Sequence, residues 1–237
     1  MKKLLVHYSI LCILSIVLLS CSRSIKGEGE VTTKELKISP VKEILANGSY
    51  RLIYLYDSNN PRIVIESYKN LIDNLKIDDS KGKLTISEID NVKDPDLYNV
   101  YVYNPQIETF DIHDLVNVDI NSQLRVSKLS INLNDVSKLI ANTVITDELN
   151  VNVSDVSKIN LKGTSNTLHL NASDTSDFTA PFLEVSEANV ELSDVATAEI
   201  NVKSKLVGRI SDNTKITVIG NPAKNIQQKD LAVINFK

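Results

Sequence analysis

An aspartate returns at nearly constant spacing through the second half of the chain: Asp114, Asp135, Asp155, Asp174, Asp194 and Asp212, at steps of 21, 20, 19, 20 and 18 residues. Each occupies the same local pattern, with alternating apolar residues before it and again after it, as in SINLNDVSKLIAN (130–142) and NVNVSDVSKINLK (150–162). A unit of this length cannot bury its own apolar face, so neighbouring units must stack around a shared core. The period is too short for a propeller blade, and the Leu/Asn pattern of leucine-rich repeats is missing. One coil of a parallel β-helix fits. Six such coils, at the usual spacing between strands, span roughly 29 Å of axis.

Alternation directs Ile131 and Leu133, Val151 and Val153, Leu168 and Leu170, and Val190 and Leu192 into the core. The apolar residues directly after the aspartates, Val136, Val156 and Val195, are expected to reach inward, and the pattern resumes at Leu139, Ile159, Phe178 and Ala198. Stacked coils place like residues above like. The chain has four Phe and no Trp, which suits an interior narrow enough for Val, Ile, Leu and Ala. Asp and Ser turn a chain by accepting backbone N–H bonds two residues on, and this assigns the Asp row to corner-making. Lys138, Lys158 and Lys215 follow three of the corners and are expected to offset their charge. The alternative is a calcium ladder, but the Gly-rich nonapeptide of calcium-binding β-rolls is absent, and no metal or cofactor is assigned.

From Thr32 onward period-two alternation is almost continuous, which makes the chain all-β. Lys69 to Leu75, with Leu71, Ile72 and Leu75 on one face, is the single helical candidate; a turn at Asp78–Gly82 leads from it into a strand at Lys83–Ile89. The expected organisation is one β-helix domain over 32–237, with less regular coils at 32–104 and repeats at 105–220.

Residues 1–20 read as an export signal: Lys2 and Lys3, an apolar run from Leu4 to Leu19, then Leu18-Leu19-Ser20-Cys21, which matches a bacterial lipobox. Cleavage before Cys21 makes it the lipid attachment point, with palmitate-type acyl chains holding the chain to a membrane, and 21–31 a flexible tether. An uncleaved anchor and an ordinary signal peptide are the alternatives. Loss of Lys2 and Lys3 takes the net charge from −4 to −6, which disfavours nucleic acid as a partner. Two Cys, both N-terminal, exclude a disulfide framework.

The vocabulary of catalysis is thin. His113 stands beside an Asp in a corner and His169 alternates outward on a strand; neither has the context of a nucleophile motif, and no phosphate loop, dinucleotide fingerprint or H-E-x-x-H occurs. A carbohydrate-active site could be drawn from Asp155, Lys158 and Asp174, or from Asp194, Arg209 and Asp212. The regularity of the repeat argues against one, and no catalytic residue is assigned. All Tyr residues after the signal peptide precede Pro105. If Val100 and Val102 point inward, Tyr101 and Tyr103 point outward as candidate ligand contacts.

The stretch Ile25–Val31 (IKGEGEV), then Val41-Lys42-Glu43-Ile44, Asn47-Gly48-Ser49 and the strand Tyr50–Tyr56, resembles the opening of the "putative auto-transporter adhesin, head GIN domain" family, lipoproteins of Bacteroidetes-type bacteria. The later order Ile63–Glu66, Gly82–Ile86, Val100–Val102 before Pro105, and Gly220-Asn221-Pro222 continues the resemblance. Leu36 and Val41 depart from it, standing where Arg and Phe are usual. The resemblance implies a right-handed parallel β-helix, exported and tethered, with no enzymatic residues to carry over. The expected function is a lipid-anchored, non-catalytic binding or adhesion module of the bacterial envelope, on the periplasmic or outer face of the outer membrane, with a glycan or protein partner. An envelope scaffold that self-associates is the alternative, and a carbohydrate-active enzyme a third.

Overall fold

The computed structural model describes residues 24–237; the expected signal peptide (1–20), the lipid-bearing Cys21 and the first residues of the tether lie outside the described residues. The chain is an all-β solenoid of about 6 turns with parallel bridges roughly 20 residues apart.

A short strand β1 (Ser24–Ile25) and β2 (Val31–Lys37) lead into the first coil, β3 (Glu43–Asn47) and β4 (Arg51–Tyr56). The chain then leaves the coil path through β5 (Arg62–Tyr68), helix α1 (Lys69–Asp73), β6 (Leu75–Asp78), β7 (Lys83–Glu88), β8 (Asn91–Val92) and β9 (Tyr98–Asn104). Here β7 and β9 run parallel under β3 and β4 as a terminal rung. Antiparallel partners close its far side: β6 on β7, β5 on β9, and β2 on β5. This excursion is the cap. It covers strand edges that would otherwise be open to pairing, and α1 buries Leu71 and Ile72 against it.

Three tyrosines pack in the cap and the coil it covers. Tyr50, Tyr54 and Tyr98 are buried, and each hydroxyl donates to a main-chain carbonyl: Ile86 at 2.8 Å, Pro105 at 2.9 Å and Leu71 at 3.1 Å. Burial holds all three phenols above the ordinary tyrosine range. Val41 is buried, and its main chain is fixed by Asn104, which accepts the Val41 N–H at 3.1 Å and donates to its carbonyl at 2.8 Å.

The coils resume with β10 (Thr109–Ile112) and β11 (Asn117–Ile120), followed by the long bent strands β12 (Leu124–Leu133), β13 (Lys138–Val153), β14 (Lys158–Ala172), β15 (Asp177–Leu192) and β16 (Thr197–Ile210). Next come β17 (Lys215–Ile219), β18 (Ala223–Gln228) and β19 (Val233–Phe236). Register produces interior columns. One runs Ile44, Phe110, Ile131, Val151, Leu170, Val190; another runs Leu52, Val118, Leu139, Ile159, Phe178, Ala198. Each fully buried Leu, Ile or Val adds about 1.5–3 kcal/mol of apolar burial, and a column repeats that gain once per coil.

Two features of the path differ from the sequence expectation. Val136, Val156 and Val195 are not inward: they are 52%, 49% and 49% exposed, and the residues that turn into the core come one later, at Val116, Ser137, Ser157, Ser176, Ala196 and Thr214. The cause is the backbone of the corner. Each Asp of the row has φ between 58° and 65°, a left-handed conformation that Asp tolerates better than most residues; the corner turns both the Asp and the residue after it outward, while the inward parity carries through unchanged, as from Leu133 to Ser137 and Leu139. The exposed valines therefore form a ridge along the corner with Leu115 and Leu231. The repeat also extends beyond its expected limits. Asp230 (φ 54°) makes a further corner ahead of β19, and β3 and β4 form a regular coil turned at Gly48.

Glycines mark points where main chains nearly touch. At Gly163 and Gly208, both with φ 134°, an added Cβ would lie 1.9 Å from the carbonyl oxygen of Val144 and of Val190 respectively in the adjacent coil.

Candidate functional site

The Asp row forms a continuous hydrogen-bonded ladder, though not in the way the sequence suggests. A carboxylate does not accept an N–H two residues on; its Oδ2 accepts the backbone N–H of the Asp one coil earlier. Asp135 accepts from Asp114 at 3.0 Å, Asp155 from Asp135 at 3.2 Å, and the series continues through Asp174, Asp194 and Asp212 to Asp230 at 3.3–3.4 Å. From Asp155 to Asp212 the preceding serine hydroxyl also donates to the same oxygen, as Ser154 does at 3.0 Å and Ser211 at 2.7 Å. For Asp212 the Ser211 hydroxyl and then the Asp194 N–H hold the carboxyl below the ordinary Asp range.

These donors take the place expected for lysines. Among the described residues no ion pair joins Lys138, Lys158 or Lys215 to the row; the inter-coil pairs lie elsewhere, as Lys128–Glu148 at 2.8 Å and Lys203–Glu184 at 3.3 Å. Nor do three or more His, Cys, Asp or Glu side chains converge among the described residues as a metal cage would require. From Asp135 onward each row carboxylate is spent on its neighbour's main chain, which makes the row an element of the fold.

Of the residues considered for hydrolysis, Asp155 and Asp174, like Asp194 and Asp212, are consecutive members of the ladder. Arg209 turns to Gln227, its Nε 3.4 Å from Oε1, and His113 is half-buried with Nε2 3.1 Å from an Asp111 carboxylate oxygen. His169 is exposed on β14 between the buried Leu168 and Leu170.

Tyr101 and Tyr103 do lie on the outer face of β9, with Val100 and Val102 buried on its inner face. Both are half-buried and already engaged. The Tyr101 hydroxyl donates to Glu66 at 3.2 Å, and the Arg62 guanidinium stacks 3.7 Å from the centre of the Tyr103 ring. Desolvation, followed by the Glu66 carboxylate, raises the Tyr101 phenol above its ordinary range.

A larger concave surface runs along a different corner, the bend inside the long strands. It is a groove of about 630 Å³ crossing the coils between Gln106 and Lys203. Its floor is Val126, Thr146, Ser165 and Val185, which register pairing stacks one per coil. The Thr146 hydroxyl donates to the carbonyls of Ser127 and Glu148, and that of Ser165 to Thr167, so side chains satisfy the main chain at the bend. One wall is Arg125, Ile145, Thr164 and Glu184; the opposite wall is Ser127, Asp147, Asn166 and Ser186. Asn166 donates to Asp147 across one coil step at 3.0 Å. No residue type recurs in successive coils along either wall, which hides the groove from a search for periodic signals. Phe182 stands beside it on β15, 69% exposed, two residues before Glu184 and on the same side of the strand. The Lys162 ammonium lies 6.0 Å from its ring.

Among the described residues no helix is long and apolar enough to cross a membrane. The solenoid is similar to several solved structures. A protein from Bacteroides fragilis described as a putative adhesin superposes with a TM-score of 0.85 at 16% identity, covering 90% of this chain and 100% of that one. Another putative adhesin, from Parabacteroides merdae, gives 0.70 at 20% identity, covering 90% of this chain and 99% of that one. A protein from Parabacteroides distasonis described as a putative lipid binding protein gives 0.70 at 19% identity, covering 91% of this chain and 100% of that one. At such identities the likeness is one of fold. No curated protein matches the chain. The family model for the putative auto-transporter adhesin, head GIN domain, matches residues 40–222, most of the solenoid together with its cap, and the chain belongs to that family.

Proposed function

We propose that the chain is an exported, lipid-anchored and non-catalytic binding module of the bacterial envelope, which holds a rigid outer surface toward a glycan or protein partner. The observation that carries this reading is the unbroken stacking of the coils from β10 to β19. Successive coils stay in register with short irregularities at the bends, and no long loop interrupts them to build a cleft. A rigid surface loses little conformational freedom on binding. Membership of an adhesin-described family supports the same conclusion and an envelope location. The lipobox at Cys21 supports attachment by acyl chains a few residues ahead of β1; the pairing of β1 with β8 and the Asn70 bonds to Lys26 and Glu28 tie most of the expected tether to the cap.

The test is cellular. The Cys21→Ala variant should lose acyl label and leave the membrane fraction while keeping its fold, and protease shaving of intact cells should release the native solenoid if it faces outward. Retention of the variant in the membrane would refute the lipid anchor.

A second reading, an envelope scaffold of copies stacked coil to coil, rests on β18 and β19. Within the described residues they are hydrogen-bonded to β16 and β17 on one side, and an unpaired strand edge is a template for pairing. Sedimentation across a wide concentration range separates the two: a strict monomer excludes the scaffold.

A further inference from the structure

The groove along the inner bend of the long strands has a chemistry more specific than that of a general binding surface, and we infer that it binds a linear, largely uncharged glycan laid along the solenoid axis. This inference rests on the binding-module reading above and narrows it to one surface and one class of ligand.

Three observations point to sugar. First, the walls offer hydroxyl, amide and carboxylate groups at one-coil intervals: Ser127, Asp147, Asn166 and Ser186 on one side, Thr164 and Glu184 on the other. The coil interval, roughly 4.8 Å, is close to the length of one ring in an extended glycan, so successive sugars meet successive coils. Each sugar hydroxyl both donates and accepts, which matches a wall where Asn and Ser do the same and carboxylates accept. Second, the charges nearly balance. Glu108, Asp147 and Glu184 stand against Arg125 and Lys203, and the Lys203–Glu184 pair at 3.3 Å neutralises one end. A polyanion would find no basic track. Third, Phe182 presents an exposed ring beside that end, and the C–H face of a pyranose stacks on such a ring as it does on other aromatic side chains.

A peptide fits less well. Main-chain groups of the coils are directed into neighbouring coils, so the groove has no free strand edge to pair with a peptide backbone. Ile145 is the single large aliphatic side chain on its walls, which leaves no apolar anchor pocket of the sort that dominates protein interfaces.

The experiment uses the purified chain without its signal peptide, a printed array of linear neutral oligosaccharides of glucose, galactose, mannose and N-acetylhexosamines, and calorimetry on the best of these. Binding to one or more is expected. Asp147→Ala combined with Asn166→Ala, and separately Phe182→Ala, should each weaken it on the order of tenfold, and Ser186→Trp, which fills the groove, should abolish it. These side chains are exposed, so unchanged melting curves check that the variants are folded. Glycan binding unaffected by all three variants, or lost instead in the Tyr101→Ala, Tyr103→Ala double variant, overturns the groove assignment. If no oligosaccharide binds while beads coated with the chain still adhere to cells, the glycan inference fails and the module reading stands. If the beads do not adhere either, both fail.

Discussion

Replacement of one ladder aspartate separates the two roles assigned to it, its left-handed backbone and its bond to the next coil. Asp155 is suitable because it lies mid-solenoid, has φ 58°, and accepts from the Asp135 N–H at 3.2 Å and the Ser154 hydroxyl at 3.0 Å. In Asp155→Asn the side chain still tolerates the left-handed region and its amide oxygen accepts the N–H, so the loss is about 0.5 kcal/mol, the part of the bond due to charge, discounted for exposure. Asp155→Gly keeps the conformation but forfeits the bond and gains freedom in the unfolded chain, together about 1–1.5 kcal/mol. Asp155→Ala forfeits the bond and, without the short polar side chain that lets Asp tolerate the left-handed region, adds roughly 1 kcal/mol, giving about 2 kcal/mol. Urea unfolding should therefore rank the midpoints native, Asn, Gly, Ala, with Ala lowered by on the order of 1 M for a slope of about 2 kcal/mol/M. An Ala variant as stable as the Asn variant would refute both the strained corner and the ladder.

Other outcomes follow from single side chains. Ser137 and Ser157 pair through their hydroxyls at 3.1 Å, but the buried Ser176 hydroxyl has no partner among the described residues; Ser176→Ala should raise stability by about 0.5–1 kcal/mol in urea unfolding, and Ser157→Ala should lower it by leaving Ser137 unpaired. Gly208→Ala drives a methyl into the Val190 carbonyl and should destabilise by about 3 kcal/mol or more in the same assay. Glu88 is half-buried, and desolvation raises its carboxyl above the ordinary range despite N–H bonds from Ser49 and Val92. Its contribution is complete below the ordinary Glu range and is lost as pH rises through the raised value, so native chain should lose stability relative to Glu88→Gln across that window. Asp212 shifts the other way: its contribution is present above the ordinary Asp range and fades as pH falls through the depressed value, so Asp212→Asn should flatten the acid limb of stability against pH.

The coil was legible in the sequence because its two determinants are periodic: alternating apolar residues and an Asp at each corner. Helix α1 and the turn into β7 were legible for a similar reason, a short change of period ended by Asp and Gly. The direction of Val136 and its equivalents was not, because an apolar residue at a corner suggests core, although the parity running from Leu133 to Leu139 places Ser137 inward and Val136 outward. The first coil escaped because Gly48 replaces Asp at its corner and the cap separates it from the others. Asp230 followed by Leu231 and Ala232 repeats the corner pattern of Asp194, Val195 and Ala196, so that coil was readable in principle. Tyr101 and Tyr103 were placed on the correct side of their strand, but pairing with Glu66 and Arg62 depends on antiparallel contacts within the cap that no local pattern encodes. The groove is a property of stacked bends, and no residue type recurs in successive coils along its walls.

The central claim, that the solenoid works by holding a partner and not by transforming it, is tested most directly by equilibrium binding of the purified chain to envelope polysaccharide and protein fractions, with each fraction recovered and analysed afterward by mass spectrometry. Saturable binding to a fraction recovered chemically unchanged is the predicted result. Cleavage or modification of the bound fraction by the chain would contradict the claim.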